Sequence, residues 1–342
     1  MTTIRYPWET PPENGEMIEI AEGVHWLRLP LPMKLDHVNI YVLDDGDGWT
    51  LIDTGMKSRR VQAMWQAVLD GPLRGKPVKR VVATHHHPDH IGFHGWFVEE
   101  FGAEYVSTQV AYLMGRMLTM DIQERYTEGQ IEFYRRAGMR AELLAARQDE
   151  RPFNFSDIVH PIPIGFTRIE EGDVIEMGGR SWDVRVDHGH APDHATFWSR
   201  DDNLVLCGDQ VIASISSNIG VYPTEPDANP LADWLDSCAR LQNFARADHL
   251  ALPGHKLPFV GMPLRLRQLE ENHHGALTRL RADLKTPKTA GEVMMAVFKR
   301  QIGDGEYGLG LVEALAHCNY LWHAGEVTRS LHQDGAYRWV MN

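Results

Sequence analysis

The stretch Ala83–Gly95, ATHHHPDHIGFHG, puts five histidines and one aspartate into thirteen residues. Just before it, Val78–Ala83 (VKRVVA) is a short β-branched run that reads as a buried strand. Just after it, GFHGWFVEEFG spaces Phe93, Trp96, Phe97 and Phe101 as a helix does. His85, His87, Asp89 and His90 are therefore expected on a loop between strand and helix, where Pro88 disfavours a helical backbone at His87. Ring nitrogens at i and i+2, followed by a carboxylate and an imidazole at i+4 and i+5, can converge from one tight turn. Such donors suit zinc or a neighbouring first-row metal. The plainer reading, a hydrophilic surface turn, leaves four donors at this spacing without a reason.

A centre built from one loop needs donors from elsewhere, and three further strand-like runs end in them. VDHGHAPDH follows the strand Asp183 to Val186 and presents His188, His190 and His194. LVLCGDQ places Asp209 after an apolar run, with Gly208 allowing close backbone approach. LALPGHK places His255 in the same way. Taken singly, each is an ordinary loop or turn residue. Together, each at a strand end, they point to a shared centre.

The rest of the chain sets bounds on that centre. With 342 residues it can hold one large domain and a small one. A hydrophobic content of 43% and a charged content of 24% are those of an ordinary globular protein. The formal net charge of −13 argues against a nucleic-acid or anionic-membrane partner. Cys207, Cys238 and Cys318 are too widely spaced for a CxxC site, and a reducing compartment is the simpler expectation. The N-terminus lacks the apolar core of a signal peptide, and no run of apolar residues is long enough to span a membrane. The expected location is the cytoplasm.

Strand-like segments GVHWLRLPL, HVNIYVLDD and WTLIDTG come first, the last two joined by a hairpin at Asp45–Gly48. A helix capped by Ser58 is expected to run to Leu69. Gln109 to about Arg151 reads as helical, and Gly178-Gly179 as a hairpin turn. Helices are expected from about Pro230 to Ala245 and from Pro263 to Lys285. Beyond Thr286 come two helices (AGEVMMAVFKR and GLVEALAHCNYLWHAG), separated by a glycine-rich loop, GDGEYGLG, and followed by a strand pair. Mixed strands and helices suggest an α/β body of two sheets covered by helices.

The set THHHPDH, HGHAPDH, LCGDQ and LPGHK, preceded by LIDTG, resembles the metallo-β-lactamase-fold hydrolases, in their hydroxyacylglutathione-hydrolase-like branch. The resemblance spans about Gly23 to His255. It implies an αββα four-layer sandwich with a two-metal centre between the sheets. It also implies that His85, His87 and His190 hold one metal, that Asp89, His90 and His255 hold the other, and that Asp209 bridges them. Asp53 of the DTG turn would orient the histidine loop. Two zinc ions per chain are expected, with iron or manganese as alternatives. The last part of the chain resembles the small winged-helix-like extension of one branch. Its basic residues do not outnumber its acidic ones, so a DNA-binding wing is not expected. The implied organisation is an N-terminal arm (1–22) and a catalytic domain (23–262) with a helical insertion at about 109–155. A connecting helix (263–285) and the C-terminal domain (286–342) follow.

The activity implied is attack by a metal-bridging hydroxide on the carbonyl of a small thioester or ester, with Asp89 and Asp209 orienting it. Tyr222 is a candidate donor to the oxyanion. His94, His188 and His194 are candidates for supporting roles. Alternatives are a lactonase or β-lactamase, an endoribonuclease and a mononuclear-iron sulfur dioxygenase. Methionines and aromatics of the insertion, from Tyr112 to Met139, read either as an apolar wall of the active-site mouth or as packing. Arg135, Arg136 and Arg140 lie in helical reach of Glu128, Glu132 and Glu142, so paired surface charge is favoured over an anion grip. The expected partner is a small acyl substrate, with no nucleic acid and no membrane; a homodimer is admitted.

Overall fold

Alternation along His37–Asp44 sets the layering of the molecule. Val38, Ile40 and Val42 enter one apolar cluster, whereas Tyr41 and Leu43 enter another, so the strand is buried on both faces. The computed structural model describes residues 3–342. Its first sheet runs in chain order: β1 (Met17–Ala21), β2 (Val24–Pro30), β3 (His37–Asp44), β4 (Trp49–Ile52), β5 (Val78–Val82), β6 (Glu104–Ser107) and β7 (Thr167–Arg168). β1 to β4 pair antiparallel and β4 to β7 parallel. The second sheet contains β8 (Val174–Met177), β9 (Arg180–Asp187), β10 (His194–Ser199), β11 (Leu204–Gly208), β12 (Leu250–Pro253) and β13 (Phe259–Val260). Only β11 and β12 pair parallel in it.

Three apolar clusters make four layers. Between the sheets lie Trp26, Tyr41, Ile52, Val82, Trp182, Phe197, Leu206 and Leu252. The outer face of the first sheet packs on helices Arg59–Asp70 and His94–Phe101, with Trp65 edge-on to Phe97 at 4.9 Å. Ser58 caps the first of these by accepting from the Val61 amide at 3.1 Å. The outer face of the second sheet packs on helices Pro230–Gln242 and Met262–Asp283. The result is an αββα sandwich, as expected. Each fully buried leucine or phenylalanine contributes about 1.5–3 kcal/mol to it.

The C-terminal unit shares the third cluster. Leu311, Leu315, Leu321 and Trp339 pack in one apolar body with Cys207, Trp234, Phe259 and Leu277. Phe133, Ala137 and Met139 of the insertion join them. The unit consists of helices Met294–Phe298 and Asp304–His323 and the antiparallel hairpin β14 (Val327–Leu331) and β15 (Tyr337–Met341). GDGEYGLG, expected as a loop, is largely the start of the helix Asp304–His323. Acidic Asp304 and Glu306 favour that helix end, and burial of Tyr307, Gly310 and Leu311 outweighs the glycine penalty. The segment AGEVMMAVFKR, expected to be helical throughout, keeps only the five helical residues Met294–Phe298.

The insertion forms three helices, Gln109–Met120, Glu128–Arg136 and Ala141–Asp149. Tyr112, Phe133 and Met139 are core, while Met117 and Met120 are exposed. Glu132 pairs with Arg135 and Arg136, and Arg140 with Asp304 and Glu142. The three cysteines are buried and free. Among the described residues no helix is long and apolar enough to cross a membrane.

Candidate metal centre

Strand direction brings the donors together. β4 and β5 run parallel, as do β11 and β12, and β9 runs with β11 because β10 lies antiparallel to both. The carboxyl ends of β4, β5, β9, β11 and β12 therefore lead into Asp53, His85, His190, Asp209 and His255 respectively. Asp89 and His90, expected on a loop, lie on one helical turn, Pro88–Ile91. His87 is extended, as Pro88 requires, and Pro88 then fits the first helical position, where no amide donor is needed.

Seven side chains converge in three overlapping groups: His85 with His87 and His190, His85 with His90 and Asp209, and Asp89 with His90 and His255. In each group one donor atom per residue lies within 4.8 Å of the others. His90 Nε2 is 3.5 Å from Asp209 Oδ1 and 3.7 Å from Asp89 Oδ2. His255 Nε2 is 3.2 Å from Asp209 Oδ2 and 3.4 Å from Asp89 Oδ2. His190 Nε2 is 3.5 Å from Asp209 Oδ2. All but Asp89 and His87 are buried.

Four of the five histidines are oriented by their other ring nitrogen. His190 Nδ1 donates to the Asn218 carbonyl at 2.8 Å, and His255 Nδ1 to the His37 carbonyl at 2.7 Å. His90 Nδ1 donates to Asp53 Oδ2 at 2.7 Å. Thr84 Oγ1 donates to Asp53 Oδ2 at 2.8 Å, which leaves it to accept from His85 Nδ1 at 3.0 Å. His85, His90, His190 and His255 therefore turn Nε2 inward, and His87 presents Nδ1, 3.0 Å from His85 Nε2. Anchored outer nitrogens of this kind fix the tautomer a metal ligand needs.

The buried atoms His90 Nε2, His190 Nε2 and Asp209 Oδ1 have no hydrogen-bond partner. Buried polar groups left unpaired cost about 1–3 kcal/mol each. A cation among them would satisfy all three. Burial, with neighbouring imidazoles, holds His85 and His87 well below the usual histidine range, in the neutral form that coordinates. Burial also opposes charge on His255 and His90. Even so, Asp209 with Asp89 lifts His255 to about 10, and Asp209, Asp53 and Asp89 lift His90 well above its ordinary value. These carboxylates draw positive charge to the place where a cation would sit. The residues fit a divalent metal centre.

Other candidates are placed apart from the seven. His194 stacks on His85 at 4.7 Å and accepts from the Asp209 amide at 3.0 Å, so it supports two of them. His94 pairs with Thr54 at 2.8 Å, and His188 with the Asp193 amide at 3.3 Å. Tyr222 is 42% exposed and its hydroxyl lies close over Gly220. Thr84, His37 and Asn218 carry no motif signal of their own. The last two act through backbone carbonyls, which any residue possesses.

Residues 33–255 match the model of the metallo-beta-lactamase superfamily, an interval that contains all seven donors. The chain belongs to the metallo-beta-lactamase superfamily. Residues 277–342 match the metallo-beta-lactamase-like C-terminal domain, which accounts for the shared helical unit. A beta-lactamase domain protein from Burkholderia ambifaria is 34% identical, with a TM-score of 0.91 over 99% of this chain and 98% of that one. A metallo-beta-lactamase family protein from Thermus thermophilus is 28% identical, with a TM-score of 0.79 over 95% of this chain and 100% of that one. A probable metallo-hydrolase of Bacillus subtilis, YqjP, is 26% identical over 307 residues, 88% of this chain and 92% of that protein. The alignment to the Burkholderia protein, over 99% of this chain, takes in both the superfamily core and the C-terminal domain.

Proposed function

We propose that this protein is a metal-dependent hydrolase of a small thioester or ester. His85, His87 and His190 would hold one divalent cation, Asp89, His90 and His255 a second, and Asp209 would be shared. The observation that carries this reading is the set of inward ring nitrogens whose opposite sides are anchored to carbonyls, Asp53 and Thr84, two of which, on His90 and His190, are buried without a hydrogen-bond partner. Divalent zinc held by these residues would lower the pKa of a coordinated water towards neutrality and polarise a carbonyl group.

The chain's own groups then order the reaction. Asp209 orients the attacking water. Asp89 keeps 17% of its side-chain surface exposed; with Oδ2 turned to His90 and His255, its other oxygen is the one left to take a proton from that water and return it to the leaving sulfur or oxygen. His194, through the Asp209 amide, keeps the shared carboxylate in place. Tyr222 is proposed as a donor to the developing oxyanion.

Protein purified without added metal, analysed for its elements and offered acyl thioesters, simple esters, acyl-homoserine lactones, nitrocefin and RNA, tests the reading. Thioester or ester hydrolysis that a chelator abolishes and zinc restores is expected. Selective ring opening of a lactone or nitrocefin would replace the substrate class. One iron per chain with no hydrolysis would overturn the mechanism, and so would cleavage of RNA alone.

A further inference from the structure

The segment from Asp209 to Val221 touches the centre twice yet has no helix or strand of its own. Ser217 Oγ donates to the Asp209 carbonyl, and the Asn218 carbonyl accepts from His190 Nδ1. A backbone of this kind is held only by what surrounds it. Here the surroundings are two helices that follow the last of the seven donors in the chain.

From Met262–Asp283, Arg265 donates to the Ile212 and Ile215 carbonyls at 2.6 and 2.7 Å. From Asp304–His323, Glu313 Oε2 accepts from Asn218 Nδ2 at 2.7 Å, and its carboxyl also accepts from the Ile219 amide. The Leu309 carbonyl accepts from Asn218 Nδ2 at 3.2 Å, and the Val312 carbonyl from the Val221 amide at 3.1 Å. A chain of neutral imidazoles runs alongside. Ser216 Oγ donates to His273 Nε2 at 3.3 Å, His273 Nδ1 to His317 Nε2 at 3.2 Å, and His317 Nδ1 to the Glu313 carbonyl at 2.8 Å. Burial keeps both rings uncharged, at about 3 for His273 and about 4 for His317, so each has one donor and one acceptor to give.

We infer that Glu313 is a positioning residue of the metal centre: through Asn218 it fixes the carbonyl that sets the ring of His190. The C-terminal unit thereby holds one half of the centre in register. The inference rests on the proposed reading of that centre as a metal site. The asymmetry is specific. His90 is oriented by Asp53 and His255 by His37, both within the superfamily core, whereas His190 is oriented by a loop clamped from the C-terminal helix. Loosening the clamp lets the Asn218 carbonyl swing and the imidazole turn its lone pair away from His85 and His87.

Zinc titration of metal-free protein against a chromophoric chelator, for wild type, Glu313→Ala, Glu313→Gln, Asn218→Ala and His190→Ala, tests this. Wild type should take up two equivalents. Glu313→Ala should weaken about 10- to 100-fold the equivalent that His190→Ala abolishes, and leave the other unchanged. Glu313→Gln, which keeps an acceptor oxygen, should restore most of the affinity. Asn218→Ala keeps its backbone carbonyl but loses its own bond to Glu313, so it should weaken the same equivalent, by no more than Glu313→Ala does, and the double variant should lose no more than Glu313→Ala alone. It also reads the link if Glu313→Ala fails to fold. Two equivalents of wild-type affinity in Glu313→Ala or in Asn218→Ala overturn the inference alone. Equal weakening of both equivalents overturns it too, as general destabilisation. A wild type that binds no zinc overturns the metal reading, and the inference with it.

Discussion

Asp53 Oδ2 accepts from His90 Nδ1 at 2.7 Å, and the same oxygen accepts from Thr84 Oγ1, the hydroxyl that receives His85 Nδ1. One carboxylate thus orients a histidine in each half of the centre. Its other oxygen takes the Thr84 amide at 2.9 Å, and its backbone is held at φ 62°, in the left-handed region. The side chain is aimed by the turn that ends β4.

Replacing Asp53 by Ala should therefore lower affinity for both metals about 10- to 100-fold, with a matching loss of activity at limiting zinc. Asp53→Asn should not rescue it, because an amide has one acceptor oxygen for three donors. Elemental analysis after dialysis, beside steady-state rates, checks this. Full stoichiometry in Asp53→Ala would remove the carboxylate from the account.

Gly254 makes a different demand. A Cβ there would collide with Asp209 Oδ1 and lie 2.7 Å from His90 Cε1. The backbone cannot retreat easily, since the Gly254 amide bonds the Gly208 carbonyl at 2.7 Å and its carbonyl accepts from the Asn39 amide at 2.6 Å. Gly254→Ala should displace the Asp209 carboxylate and weaken zinc binding at least tenfold, while the thermal midpoint of the metal-free protein stays near that of wild type. Unchanged zinc affinity would show that the carboxylate has room to move.

The donors were legible because each follows an apolar strand in a short motif, and because strand ends are where an α/β fold gathers its ligands. Gly208 was legible for the same reason: its φ of 48° and the approach of His194 leave no room for a side chain. Local pattern failed where distant packing decided the outcome. GDGEYGLG reads as a loop until Tyr307 and Leu311 are buried against the second sheet's helices. Asn218 and Glu313 meet across 95 residues, and His37 meets His255 across 218, so no window of sequence contains either pair.

Tyr222 gives a kinetic test. If its hydroxyl donates to charge that develops only in the transition state, Tyr222→Phe should lower kcat about tenfold with KM unchanged. Its exposure makes the substitution safe for folding. An unaltered kcat would return the residue to the surface.

Glu313 also predicts a pH dependence of stability. Burial pushes its carboxyl from about 4.5 up to about 7, against the opposing bonds from Asn218 and Ile219. The folded protein then binds more protons at this site than the unfolded chain across that window. Stability from this group is fully present below about 4.5 and is lost as pH rises to about 7. Glu313→Gln, which cannot ionise, should gain stability relative to wild type between pH 5 and pH 8, on the order of 1 kcal/mol or more. Urea titrations of both metal-free proteins at the two pH values check the sign. A constant difference would mean that Glu313 ionises freely.

Metal removal should cost stability without unfolding the chain, because none of the three apolar clusters includes a donor side chain. With zinc at a hundred times its dissociation constant, each site contributes about 2.7 kcal/mol, so a chelator should lower the thermal midpoint by several degrees. Asp209→Ala deletes the carboxylate that lies within 3.5 Å of His90, His190 and His255 at once. It should lose most activity together with metal, and its thermal midpoint should no longer respond to the chelator. An Asp209→Ala protein that keeps both its zinc and its chelator response would mean that the two halves of the centre are held independently, and the shared carboxylate would have to be given up.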